Sequence, residues 1–200
     1  EMELDLLITD RLVDMVDEGF DLAIRAGDLD DSALIARRVG EVPRYVCASP
    51  EYLARRGVPQ VPEDLRSHDC IVFRFAPGTM MWRLGSQSGP IDVPVKGRMS
   101  VNSFDVVREA AIQGLGLGIL PAHRCVEDFK AGRLTPVLQD HNPPTAVLHA
   151  VYPTTRHMSP VLKVFLETVT TELRASPWAN FATRSAVALN GSTSGTTVTA

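Results

Sequence analysis

The sequence predicts an α/β fold, and three observations carry that prediction. Short apolar runs of strand length alternate with segments whose apolar residues recur at helical spacing. Several helical segments open on a capping residue, twice as Ser-Pro (Ser49-Pro50 and Ser159-Pro160). Glycines stand where those segments should close, at Gly19, Gly57, Gly114 and Gly132.

Taken in order, residues 3–9 form a compact apolar run followed by Thr9-Asp10, either of which can cap a helix. Leu12, Met15 and Val16 then fall at core spacing up to Gly19, and residues 20–26 read as a second buried strand ending at Gly27. A strand, helix and strand in that order predict a parallel crossover. Both strand ends, Thr9 and Arg25, would lie on one sheet edge. Residues 34–40 and 45–49 are two further β-prone runs, and Glu41-Val42-Pro43 between them is a connection that can carry the chain from one lobe into another. A helix follows from Ser49-Pro50 to Gly57, then a brief helical turn at 62–65 and a strand at 70–75. Residues 76–90 are rich in Gly, Ser and Pro around an apolar island at 80–84, read as a short strand.

Pro94 places residues 91–101 at a sheet edge or bulge. Asn102 or Ser103 should cap the next helix, with Asp105 three residues after Asn102 as in a capping box, and Phe104, Val107, Ala110, Ala111 and Leu115 on its inner face. Gly114 and Gly116 end it. Residues 117–120 are a buried strand, and 121–130 a helix with Cys125, Val126 and Phe129 inward. A strand at 145–152 precedes the longest helix, whose stripe is Leu162, Phe165, Val169 and Leu173. From Ala175 the chain is Ser, Thr, Ala, Gly and Asn with little periodicity, a flexible tail with a short helical or docked piece at Trp178 and Phe181.

Composition removes several function classes. The net charge is -4, and the basic residues are scattered, so no stripe exists to neutralise a run of phosphates. No apolar stretch approaches the roughly 20 residues that span a bilayer, and the acidic start lacks the basic region of a secretory signal, which together predict a cytoplasmic protein. Cys47, Cys70 and Cys125 are odd in number, far apart and set among apolar neighbours, as buried thiols are. His68, His123, His141, His149 and His157 show no close ligand spacing. Gly114-Leu115-Gly116-Leu117-Gly118 ends a helix and enters a strand, the reverse of a dinucleotide loop, so no cofactor is implied. Ser49, Ser103 and Ser159 stand at helix starts rather than in a nucleophile elbow, and the acidic Asp28, Asp30 and Asp31 read as a solvated turn.

What remains is a set of polar strand ends and helix starts that can converge on a small ligand: Thr9, Asp10, Arg25, Asn102 and Ser103. Helix amino termini present free N–H donors, for which a small carboxylate is a natural occupant. The alternative for each residue is that it only caps its helix.

The segment Asp10-Arg11-Leu12-Val13-Asp14-Met15-Val16-Asp17-Glu18-Gly19-Phe20-Asp21-Leu22-Ala23-Ile24-Arg25-Ala26-Gly27 resembles the effector-binding domains of LysR-type transcriptional regulators. A collinear series of further matches includes Leu34-Ile35-Ala36-Arg37-Arg38-Val39-Gly40, Cys47-Ala48-Ser49-Pro50-Glu51-Tyr52-Leu53, Val101-Asn102-Ser103, Ala110-Ala111-Ile112-Gln113-Gly114-Leu115-Gly116 and Arg156-His157-Met158-Ser159-Pro160. The resemblance implies two α/β lobes similar to periplasmic binding proteins, joined by two crossovers, with a small effector in the cleft, which the helix amino termini predict to be anionic. Lobe one would be residues 1–41 plus 136–173, lobe two 42–135, and the tail 174–200. Thr9 and Arg25 would face Asn102 and Ser103 across the cleft, with Phe73 as a further lining residue. The matching series starts at the family's second strand and includes neither its first strand and helix nor its winged helix-turn-helix, through which an intact homo-oligomer would bind DNA. On this reading the protein is not an enzyme. The alternative is a solute-binding protein of a transporter, which shares the lobes; an enzyme would need an acid, base or nucleophile that the motifs do not supply.

Overall fold

The computed structural model describes residues 4–9, 13–27, 34–73, 80–153, 159–176 and 178. In chain order its elements are β1 (Ala23–Ala26), β2 (Leu34–Val42), β3 (Arg44–Ala48), α1 (Pro50–Arg56), a 3-10 turn (Pro62–Ser67), β4 (Asp69–Phe73), β5 (Met81–Leu84), β6 (Ile91–Pro94), β7 (Lys96–Val101), α2 (Phe104–Ile112), β8 (Leu117–Pro121), α3 (Ala122–Lys130), β9 (Thr135–Val137), a 3-10 turn (Gln139–His141), β10 (Ala146–Pro153) and α4 (Pro160–Ala175). They build two lobes. The smaller contains the sheet β1-β10-β2 with α4, and the larger the five-stranded sheet β7-β4-β8-β3-β9 with the two-stranded β5-β6 beside it.

Strand alternation builds the larger core in two layers. Tyr45 and Cys47 of β3 and Ile71 of β4 point to the face covered by α2 and α3, where they meet Val107, Ala111, Leu120, Cys125 and Val126. Val46 and Ala48 with Cys70 and Val72 point to the other face, which Tyr52, Leu65, Trp82, Leu84 and Val93 close. On α2 the buried residues are Val107, Ala110 and Ala111, the spacing that puts three side chains on one helix face. The helix starts expected at Ser49 and Ser159 form as capped helices: each hydroxyl accepts from the backbone N–H three residues on, at 3.3 Å from Tyr52 and 3.2 Å from Leu162.

The start of the chain differs from expectation. Residues 4–9 lie outside any strand, with Leu4, Leu6 and Leu7 exposed and Ile8 81% exposed. An apolar run becomes a strand only where a partner pairs its N–H and C=O groups. The helix expected from residue 10 falls partly outside the described residues, and residues 15–19 form a turn. Asp14 shapes that turn: its carboxylate accepts from the N–H groups of Val16 and Asp17 at 3.0 and 3.1 Å, and Gly19 leaves it at a φ of 75°. Met15 is buried as its spacing implied, but Val16 is exposed. Among the described residues the predicted parallel crossover is absent, because residues 4–9 form no strand, and β1 pairs instead antiparallel with β10, Arg25 opposite His149.

Three smaller corrections concern residues 91–115. Two strands replace the single one, with Pro94 at the end of the β5-β6 pair opposite Met81. The capping box at Asn102 does not form: Ser103 holds the cap position without a side-chain bond, and Asp105 turns to Arg124 at 2.6 Å. An ion pair to α3 satisfies that carboxylate better than a backbone N–H. Leu115, expected on the inner face, is 41% exposed, because α2 stops at Ile112.

The outgoing crossover is Pro43, between β2 of the smaller sheet and β3 of the larger, and the returning one lies within residues 138–145, between β9 and β10. β9 pairs with β3, Val137 opposite Val46, so the boundary expected at residue 136 falls inside a strand of the larger sheet. α4 extends to Ala175, and just beyond it Trp178 packs against both the α2/α3 core and the smaller core of Val39, Leu148 and Leu166. The other anchor expected in the tail, Phe181, lies outside the described residues.

Candidate functional site

Parallel pairing creates the site's framework. β4 and β7 run side by side with Phe73 opposite Val101, so the carboxyl ends of both strands stop at one edge of the larger sheet. The next residues are Asn102, exposed, and Ser103, half-buried, from which α2 departs. Of the six residues singled out in the sequence, Phe73, Asn102 and Ser103 are thereby brought together, and Asp10 lies outside the described residues. The Phe73 ring stacks on Phe104, the first residue of α2, with centroids 3.8 Å apart and planes within 2°.

Phe104 is the contributor that sequence reasoning missed. It lies at core spacing with Val107 and Ala111, so its helical period assigned it to packing alone; only its place next to Ser103 hinted at the edge. The amino end of α2 is held from outside the site. Arg124 of α3 takes up the Asp105 carboxylate, and a second clamp lies one turn further along. There the buried Asp128 of α3 receives Nε and Nη2 of Arg108 at 2.5 and 2.6 Å, and Nε of Arg133 at 2.6 Å. Burial alone would raise the Asp128 carboxyl, but the hydrogen bonds and charges of the two arginines outweigh it and hold its pKa below the ordinary carboxylate value.

The remaining two expected residues lie outside the larger sheet. Arg25, in β1, is half-buried and its guanidinium donates to the Val13 carbonyl, fastening the Asp14 turn onto the sheet. Thr9 stands in the exposed segment 4–9.

Among the described residues Cys47, Cys70 and Cys125 are buried thiols. Burial pushes Cys70 and Cys125 up to about 12 and raises Cys47 well above its ordinary value, so none is a thiolate near neutrality. Among the described residues no group of three or more His, Cys, Asp and Glu could hold a metal. The Gly114, Gly116 and Gly118 series is structural: Gly114 leaves α2 at a φ of 73°, and a Cβ on Gly118 would press to 2.8 Å from the Val107 side chain. No helix of the described residues is long and apolar enough to cross a membrane.

Comparison with known proteins agrees with this architecture. The transcriptional regulator YhjC of Escherichia coli, of the helix-turn-helix type, is 35% identical over 170 residues, covering 83% of this chain and 56% of YhjC. The regulatory domain of CrgA, a LysR-type transcriptional regulator from Neisseria meningitidis, superposes with a TM-score of 0.69 at 31% identity, covering 79% of this chain and 78% of that one. The full-length Vibrio cholerae virulence activator AphB superposes with a TM-score of 0.66 at 27% identity over 80% of this chain and 54% of AphB. These relatives are regulators, not transport components or enzymes, and the chain spans a little over half the length of the curated ones, 54% and 56% for two of them. The family profile of the LysR substrate binding domain matches residues 1–174, and the chain belongs to that family.

Proposed function

We propose that the chain senses a small anionic effector in the cleft between its lobes, and that in the intact homo-oligomeric, cytoplasmic protein this controls DNA binding by a helix-turn-helix portion outside the segment described. The observation that carries the reading is the shared edge of β4 and β7, where Phe73, Asn102 and Ser103 meet at the start of α2. Ligands of open α/β sheets sit beyond strand carboxyl ends, and the first N–H groups of a helix favour negative charge. Asp105 in the first turn of α2 would oppose an anion, but Arg124 neutralises it. The stacked Phe73–Phe104 pair gives the site an apolar wall, and Thr9 and Arg25 complete it from the smaller lobe. The protein acts as a receptor rather than a catalyst.

Backbone amide NMR of the chain against small carboxylates and their matched primary amides tests the binding step. Saturable shifts at Asn102, Ser103 and Phe104 for the acids alone support it; equal response to the neutral amides contradicts the anionic assignment.

A further inference from the structure

A cavity of about 550 Å³ lies at the hinge and shares none of the residues assigned to the effector cleft. Its wall is made by Arg38, Gly40 and Glu41 of β2, Pro43 of the outgoing crossover, Thr145 at the end of the returning one, and Leu173 with Arg174 at the end of α4. That volume falls within the roughly 300–1,000 Å³ of small-molecule sites. Its charge is uneven: Arg38 pairs with Glu41, whereas Arg174 has no ion-pair partner among the described residues, leaving one cation uncompensated. Pro43 and Leu173 add apolar surface and Thr145 a hydroxyl donor. The carbonyl end of α4 is unfavourable to an anion, but Ser176 N–H caps Leu173 at 3.4 Å and Arg174 lies in that last turn and lines the cavity.

We propose that this hinge cavity is a second binding site, for a small organic monocarboxylate whose charged end meets Arg174 and the Thr145 hydroxyl and whose apolar body lies on Pro43 and Leu173. Both crossovers form the wall, so the width of the site depends on the angle between the lobes. The proposal does not rest on the effector cleft, which is read at different residues.

The test is amide NMR of the whole chain titrated with cyclohexanecarboxylate, with cyclohexanemethanol as the uncharged counterpart. The expected result is saturable shifts at Gly40, Glu41, Thr145 and Arg174 for the carboxylate alone. The midpoint should rise about tenfold in Arg174→Gln, the loss of one charge-assisted hydrogen bond. Arg174 is exposed, so the variant should keep the wild-type spectrum; Thr145→Val supplies a second, neutral change that should weaken binding less. Shifts confined to Asn102 and Ser103, an unchanged midpoint in Arg174→Gln, or an equal response to the alcohol overturns the hinge site and leaves the effector cleft standing. Loss of shifts at Asn102 and Ser103 with the hinge response intact does the reverse.

Discussion

Arg44, the first residue of β3, donates from Nε to the carbonyl of Pro144 at 2.8 Å, and so ties the two crossovers to each other across a hundred residues of chain. Pro43 beside it accepts from Ala122 N–H at 2.8 Å, which fixes the outgoing crossover to the start of α3. The hinge is thus held by named polar bonds as well as by Trp178 between the two cores.

Arg44→Met should keep the aliphatic stem and lose the guanidinium bonds. A cost of about 1.5–3 kcal/mol follows for a hydrogen bond to a charged group. Amide exchange should quicken at Thr145 and Ala146 more than in β8, and equal change throughout the chain would show that the bond does not act on the hinge.

Asp128→Asn should destabilise the larger lobe by about 2–3 kcal/mol, below the usual value for a broken buried pair because both arginines are partly exposed. The native pKa of Asp128 is depressed, so its stabilisation is present above the unfolded value of about 4 and is lost as pH falls through the lower native one. Denaturation midpoints measured between neutral pH and acid should therefore converge for the wild type and the variant. A gap that persists undiminished in acid contradicts the role of the ionised carboxylate.

The three serines at helix starts separate capping from availability. Ser49→Ala and Ser159→Ala remove formed caps and should each cost about 0.5–2 kcal/mol. Ser103→Ala removes a hydroxyl that makes no cap bond, so thermal unfolding should show a loss within about 0.5 kcal/mol. A loss at Ser103 as large as at Ser49 would mean that its hydroxyl holds α2 in solution after all.

All three cysteines are buried with raised pKa values. The folded chain should release almost no chromophore with a disulfide reagent at mild alkaline pH, and unfolding in denaturant should release three equivalents. Rapid reaction of the native protein would contradict the packing around Cys47 and Cys70.

Much of this architecture can be read locally because its signals are local. Ser49-Pro50 and Ser159-Pro160 specify helix starts with bonds three residues long, and the Val107, Ala110 and Ala111 stripe specifies which face of α2 is covered. The failures involve partners distant in sequence. Residues 3–9 carry strand composition, but composition says nothing about whether a neighbour pairs with them. The Asn102 capping box satisfied its pattern, yet Asp105 found Arg124 nineteen residues away. For the site, Asn102 and Ser103 were visible as a helix start, while the stacking of Phe73 on Phe104 required the parallel register of β4 and β7, which no short motif encodes.

The most direct test of the central claim is calorimetric titration of the intact protein with the carboxylate that shifts Asn102 and Ser103, comparing wild type, Ser103→Ala, Phe73→Leu and the exposed control Glu167→Ala, each alongside its melting temperature. Affinity should fall about tenfold in Ser103→Ala, the loss of one hydrogen bond to a charged group, at a nearly unchanged melting temperature. It should fall in Phe73→Leu beyond any loss of stability, and hold in Glu167→Ala. Affinity that follows melting temperature across the four proteins, or that is indifferent to Ser103 and Phe73, would place the effector away from the β4–β7 edge.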